Sequence, residues 1–455
     1  MLGILRGNHV ILLINPNLPE SPWGPSRMLP PLGLTYVAAA LEKHGFEVKI
    51  FDNYLFKKPL NHIELLVKKL NPEIIGISCN SINYKDCVEI ARAAKGAAPE
   101  SKVVVGGPHP TCMPESVLDF EEVDFVVMGE GERAMVELAK HIIDGKNQCY
   151  GDVPGIAYKR NGKIVKNPPR FIENLDVIPT PARHLIPLSK YYRRIEFLDV
   201  EPVDIMNVIR GCPFYCKFCE TRKIWGSNPR TFSPSRVVME IEHLIANYGS
   251  RGIYFVADNF TINKKWTQKL CGLMMQHELD IEWVCDTRVD LVSRDLLRAM
   301  KKAGCKTIWF GVESGSPRIL EKLGKGINLQ QAVQAFRLCK EEGIKVACSF
   351  MLGIPGETIE DMKATLKIAM TLNPDWCRFN IFIACPGSNL YDEILEKKLY
   401  DRRDGFLLYV KTEDFNYESL LEIQKSFQKI FHRNPIRVVR KIIEHIKFLR
   451  IKDIL

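Results

Sequence analysis

The chain has 455 residues, 46% hydrophobic and 26% charged, enough apolar material for two or three domains with their own cores. This ordinary composition excludes collagen-like, low-complexity and long disordered architectures. The formal net charge is +9, but eight Lys and Arg against Glu444 alone between Lys429 and Lys452 supply +7 of it. The remainder is nearly neutral, so no nucleic acid is expected as a partner.

The N-terminal MLGILRG has too short an apolar run for a signal peptide, and without a run of about 18 apolar residues no transmembrane span is expected. Fourteen cysteines in such a chain point to a reducing, cytoplasmic setting in which most thiols are buried.

In chain order, Val10–Ile14 reads as a strand stopped by Asn15-Pro16. A helix is predicted over Leu32–His44, with Leu34, Val37, Ala38 and Leu41 on one face and Gly45 closing it. Glu47–Phe51, Ile74–Ser78, Val103–Val105 and Phe125–Met128 read as further strands. The last two end in Gly106-Gly107-Pro108 and Gly129-Glu130-Gly131-Glu132. Unbroken apolar strands alternating with helices predict a doubly wound parallel sheet over residues 1–150, which binds ligands at the carboxyl ends of its strands. Prolines accumulate from 151 to 198, which reads as a linker with a small hairpin at Asn161-Gly162.

A second αβ region spans 199–395. Its strands are expected at Ile205–Ile209, Gly252–Val256, Glu282–Cys285, Thr307–Gly311, Val346–Leu352 and Arg378–Ile383. Helices such as Arg236–Tyr248 and Asp295–Lys302 lie between them. Six βα units predict a partial (β/α)6 barrel of the TIM type, with its active site on the loops that follow the strands. The last segment, 396–455, is expected to be α-helical, with Pro435 opening a final helix whose stripe is Val438, Val439, Ile442, Ile443 and Ile446.

Directly after the first barrel strand comes Arg210-Gly211-Cys212-Pro213-Phe214-Tyr215-Cys216-Lys217-Phe218-Cys219. Three thiolates at Cys-x3-Cys-x2-Cys spacing can wrap one face of a 4Fe–4S cubane and leave one iron without a protein ligand. The alternative is structural zinc. Zinc takes four ligands, and no fourth Cys or His stands near this loop in sequence.

The cysteine loop, with aromatic Phe218 before its third cysteine, resembles the signature of the radical S-adenosylmethionine (SAM) superfamily. Further segments at successive strand ends resemble that family's SAM-contacting positions. These are Asp258-Asn259, Arg288, Glu313-Ser314-Gly315, Gly353-Ile354-Pro355-Gly356-Glu357 and Ala384-Cys385-Pro386-Gly387-Ser388. The resemblance implies that Cys212, Cys216 and Cys219 ligate the cluster. It also implies that Asp258, Asn259, Arg288, Glu313, Ser314, Gly353 and Gly356 contact SAM, which is cleaved to a 5′-deoxyadenosyl radical. Taken singly, such residues also serve as helix caps, buried ion pairs and turns.

The N-terminal region, with Pro30-Pro31-Leu32-Gly33-Leu34 and Gly106-Gly107-Pro108-His109-Pro110-Thr111, resembles the Rossmann-like cobalamin-binding domain that precedes the barrel in radical SAM methylases and in the oxidative cyclase of bacteriochlorophyll synthesis. The likeness covers roughly residues 8–395. It implies that Gly106, Gly107, His109, Thr111, Gly129 and Gly131 lie against cobalamin. The Asp-x-His-x-x-Gly pattern of histidine-ligated cobalamin is absent, so the implied cofactor carries no protein histidine.

The leading functional expectation is cobalamin-dependent methylation of an unactivated carbon. The alternatives are oxidative cyclisation or another radical rearrangement. A methylthiotransferase is less favoured, because the first domain offers only the scattered Cys79, Cys87, Cys112 and Cys149 for a second cluster. A small-molecule or lipid substrate and an electron donor such as flavodoxin or ferredoxin complete the expectation. The basic C-terminal helix could contact anionic lipid headgroups. Tyr54, Trp225 and Tyr391 are candidate pocket aromatics that core packing explains equally well.

Overall fold

The computed structural model describes residues 9–18, 29–144 and 150–433. In β1 (Val10–Asn15), Ile11 and Leu13 enter one buried layer while Leu12 and Ile14 enter the other, as the pleat of a strand covered on both faces requires. Parallel pairing joins β1 to β2 (Glu47–Asp52) and β3 (Ile74–Ser78), and continues through β4 (Lys102–Gly106) to β5 (Phe125–Val127). The strand order therefore begins β2-β1-β3-β4-β5. The sheet grows in opposite directions from β1, and this places a crevice at the carboxyl ends of β1 and β3. The helix Leu32–Lys43 covers one face, with Ala38, Ala39 and Leu41 buried against it.

The segment expected as a linker is only partly one. β6 (Ile156–Arg160) and β7 (Lys163–Lys166) form an antiparallel hairpin that pairs onto β5 and makes the sheet seven-stranded. Asn161 and Gly162 both turn with positive φ, 51° and 74°. That geometry matches the twist of the flanking strands. Farther along, Ile195, Phe197 and Leu198 plug the floor of the second domain against Val203, Val284 and Ala347.

The second domain opens with β8 (Val203–Asn207). The short antiparallel pair β9 (Ile209–Arg210) and β10 (Arg230–Thr231) then brackets the cysteine loop. β11 (Gly252–Val256), β12 (Glu282–Thr287), β13 (Cys305–Glu313), β14 (Lys345–Leu352) and β15 (Trp376–Ile381) follow. β11 is parallel to and hydrogen-bonded with β8, and each later strand with the one before it, in one six-stranded sheet from β8 to β15. This is the expected partial barrel.

The stretch after 396 departs from the helical expectation. β16 (Ile383–Ala384) pairs with a hairpin of β17 (Tyr400–Asp404) and β18 (Leu407–Val410). Gly405 turns that hairpin with φ 58°. Of the hairpin's two strands, β18 is buried along its length, and β17 is too polar (Asp401, Arg402, Arg403, Asp404) to signal a strand. The helix Tyr417–His432 then buries Leu420, Phe427 and Phe431 on the barrel. The helix expected from Pro435 lies outside the described residues. Among the described residues, no helix is long and apolar enough to cross a membrane.

Candidate active site

Gly211 (φ 92°) turns the chain out of β9 into the cysteine loop, and a Cβ there would run into the Asn228 carbonyl. The loop is pinned by its backbone. The N–H of Cys212 donates to the Gly226 carbonyl (3.2 Å), that of Cys219 to Cys216 (3.1 Å), that of Lys217 to Leu323 (2.9 Å), and that of Leu390 to Lys217 (2.9 Å). Cys212 is buried, Cys216 half-buried and Cys219 open on its outer side.

Each sulfur meets a donor. Asn259 Nδ2 lies 3.3 Å from Cys212 Sγ, and Arg288 Nη1 lies 3.9 Å from Cys216 Sγ. The Thr221 hydroxyl donates to Asp258 Oδ1 (3.2 Å), and the Thr221 backbone N–H faces Cys219. Burial pushes the Cys212 and Cys219 thiols up. Coordination to iron removes that cost by fixing the deprotonated form. Among the described residues, no group of three or more His, Cys, Asp or Glu is placed to hold a single metal ion.

The other residues expected around SAM divide into two groups. Asp258, Asn259, Arg288 and Glu313 gather beside the loop. Asp258 is raised to about 6 by burial, against the Thr221 hydrogen bond. Arg288 is buried, clamped by both oxygens of Asp290 at 2.9 Å, and stacked 3.7 Å from the Phe214 ring centroid. Glu313 sits at φ 71° and pairs with buried Lys325 at 3.1 Å. A left-handed glutamate at a strand end is backbone strain of the kind that collects at functional sites. Glu313 shares a barrel cavity of about 560 Å³ with Phe218, Cys219, Ser349, Arg378 and Cys385.

The second group lies apart from the cysteine loop. Ser314 is fully buried, and its hydroxyl meets Thr365 and the Ser316 N–H. Gly353 donates its N–H to Glu357 Oε2 (2.6 Å) and lies under Leu420. Gly356 turns at φ 76° beyond it. None of the three lines that cavity.

At the crevice of the first domain lies a mostly apolar cavity of about 360 Å³, floored by Gly76, Gly106, Gly107, Gly129 and Gly131. Gly107 (φ 119°) admits no side chain, since a Cβ would sit 2.5 Å from the Cys79 carbonyl oxygen. Flat, side-chain-free backbone is the cradle that a corrin ring requires, so these residues fit the implied cofactor. Thr111 holds the two glycine loops together, donating to the Gly107 carbonyl (2.7 Å) and accepting from the Gly129 N–H (2.9 Å).

His109 corrects the expectation. It is 1% exposed and does not line the cavity. Its ring nitrogens engage Ser81 and Ser116 at 3.0 Å each, between the rings of Tyr84 and Phe406. Burial lowers it to about 4, which keeps it neutral. Of the candidate aromatics, Trp225 lines the cavity, while Tyr54 and Tyr391 are packed into the protein.

Sequence reasoning missed the wall between the two domains. Arg210, 2% exposed, pairs with Glu130 (3.1 Å) and Glu132 (2.5 Å), and Arg230 pairs with Glu130 (2.8 Å). The Arg210 guanidinium also lies over the rings of Tyr36 and Trp225. The signal was present: two acids interleave the second glycine loop, and an arginine precedes Gly211-Cys212. Nothing in one sequence says that they meet.

A family profile described as the radical SAM superfamily matches residues 206–369, and one described as a B12 binding domain matches residues 27–139. An uncharacterized methyltransferase of Pyrococcus horikoshii, PH0819, is 35% identical over 92% of this chain and 91% of its own length. The anaerobic magnesium-protoporphyrin IX monomethyl ester cyclase of Rubrivivax gelatinosus is 31% identical over 85% of this chain and 70% of its own. Among solved structures, the radical SAM methyltransferase TsrM of Kitasatospora setae, with cobalamin and a 4Fe-4S cluster bound, superimposes with TM-score 0.73. It is 21% identical over 88% of this chain and 80% of that one, which is a likeness of fold.

Proposed function

We infer, because this chain belongs to the radical SAM enzymes that carry a B12-binding domain ahead of their barrel, that it is a cobalamin-dependent methyltransferase acting on an unactivated carbon of a small molecule. The observation that carries the reading is the shared wall: Asn207, Arg210 and Trp225, which frame the cysteine loop, also line the glycine-floored cavity of the first domain. Two cofactor places with a common wall suit a reaction that needs both at one substrate atom.

When bound, the cluster supplies the electron that splits SAM, and cobalamin supplies the methyl carrier. The protein's part is to hold and position them. Cys212, Cys216 and Cys219 hold the cluster and leave one corner for SAM. Asn259, Arg288 and Thr221 direct donors at the sulfurs, which tunes the cluster's potential. Glu313, Asp258 and the cavity beside Cys219 receive SAM. Gly106, Gly107, Gly129 and Gly131 receive the corrin face. A flavodoxin or ferredoxin in the cytoplasm is the proposed electron source.

The cyclase likeness supports oxidative cyclisation as the second reading. Anaerobic purification with iron and cobalt quantification, followed by product analysis with SAM and a strong reductant, tests both. Methyl transfer yields S-adenosylhomocysteine together with 5′-deoxyadenosine. The second reading yields only 5′-deoxyadenosine, and cluster without cobalt removes cobalamin chemistry from the leading place.

A further inference from the structure

Side chains of the cysteine loop alternate in the direction they face. Phe214, Cys216 and Phe218 turn inward: Phe214 and Cys216 meet the Arg288 guanidinium, and Phe218 lines the barrel cavity. Tyr215 and Lys217 turn outward, and Tyr215 is 58% exposed. This outer face is held rigid. The Lys217 backbone is hydrogen-bonded to Leu323 and Leu390. The Tyr215 ring lies under the Arg222 guanidinium at 4.8 Å, and its hydroxyl accepts from Asn389 Nδ2 at 3.4 Å. Arg222 is fixed in turn by the Pro213 carbonyl (3.0 Å).

The same face is positively charged. Lys217 and Lys223 are exposed, and among the described residues neither they nor Arg222 pairs with a carboxylate. Acids nearby are engaged elsewhere. Glu115 is held by Lys166, Glu393 by both Lys322 and Lys397, and Glu220 lines the barrel cavity. A fixed aromatic ringed by uncompensated cations is an anchor for a partner of opposite charge.

The position of the patch says what that partner carries. Cys216 stands between Tyr215 and Lys217, so a protein seated on those two side chains is one Cα–Cα step, about 3.8 Å, from the backbone of a cluster ligand. A substrate must instead reach the inner side of the loop, where the radical forms.

We propose that Tyr215, Lys217, Arg222 and Lys223 form the docking face for an acidic one-electron carrier protein, which passes its electron to the cluster across the outer side of the cysteine loop. The proposal rests on the radical SAM reading above and names the face its electron source uses. With a flavodoxin, the anionic flavin hydroquinone is oxidised to the neutral semiquinone, the cluster is reduced by one electron, and no proton moves.

The test uses the full chain with its cluster reconstituted and a bacterial flavodoxin as the probe. Titration calorimetry reads affinity for oxidised flavodoxin. Electron delivery is read as SAM cleavage with flavodoxin hydroquinone in place of dithionite. Wild-type affinity is expected to fall about tenfold from low to physiological salt. Lys217→Glu and Lys223→Glu are each expected to weaken binding about fivefold, and together about twentyfold, with iron content and dithionite-supported cleavage unchanged. Should Lys217→Glu lose iron, Lys223→Glu decides alone. Charge-reversed chains that bind flavodoxin within about twofold of the wild type overturn the proposal, as does a wild type that binds none. A loss confined to vesicles of anionic phospholipid also overturns it and makes the patch a membrane contact. A wild type that cleaves no SAM with dithionite overturns the radical SAM reading itself.

Discussion

Glu357 is fully buried, takes the N–H groups of Gly353 and Ile354 on one oxygen, and leaves the other unpaired. Desolvation raises it from 4.5 to about 7. The folded chain therefore binds more protons than the unfolded chain between these values, and this group's contribution falls as pH rises from about 4.5 to 7 and is level above. Glu357→Gln keeps the acceptor and removes the titration. Its melting temperature is expected to gain on the wild type across that window, and parallel curves would discard the assignment. His109 makes the opposite kind of statement. With both nitrogens held by serines and its ring away from the cavity, His109→Ala is expected to cost about 3 kcal/mol in urea unfolding, while the spectrum of bound cobalamin stays unchanged. A shifted cobalt spectrum would restore His109 to the cofactor site.

At the scale of elements, the β6–β7 hairpin shows turn chemistry acting on a whole sheet edge. Gly162 has φ 74° with open space where a Cβ would be. Gly162→Ala therefore isolates the backbone penalty, expected at about 1 kcal/mol in the denaturation midpoint; no change would mean that the turn relaxes freely. Asn-Gly was legible as a hairpin because it needs no information from elsewhere. Its docking onto β5 was not legible, because pairing partners distant in sequence are chosen by the finished sheet. The β17–β18 hairpin was missed for a related reason. The charges of β17 lie on an exposed strand, and the strand forms by pairing with buried β18 rather than by its own pattern.

In the whole molecule, the cluster loop and the glycine cavity draw on different residues and meet only at their common wall. Cys216→Ala is therefore expected to purify with iron near background yet bind hydroxocobalamin within about twofold of the wild type, since Cys216 does not touch that wall. Loss of both together would show that the two sites assemble as one unit.

The sequence alone determined where the parallel strands lie along the chain, the loops at their ends and the three sulfurs of Cys212, Cys216 and Cys219. All of these follow from local patterns: continuous apolar runs, glycines after strands, ligand spacing. Only the tertiary structure decided that His109 turns away from the cavity, that Ser314 and Gly353 lie outside the lining of the barrel cavity, and that Arg210 meets Glu130 and Glu132 across the domains. Where a side chain points, and which distant charge neutralises it, is settled by burial against residues far away in the chain, and no local pattern carries that information.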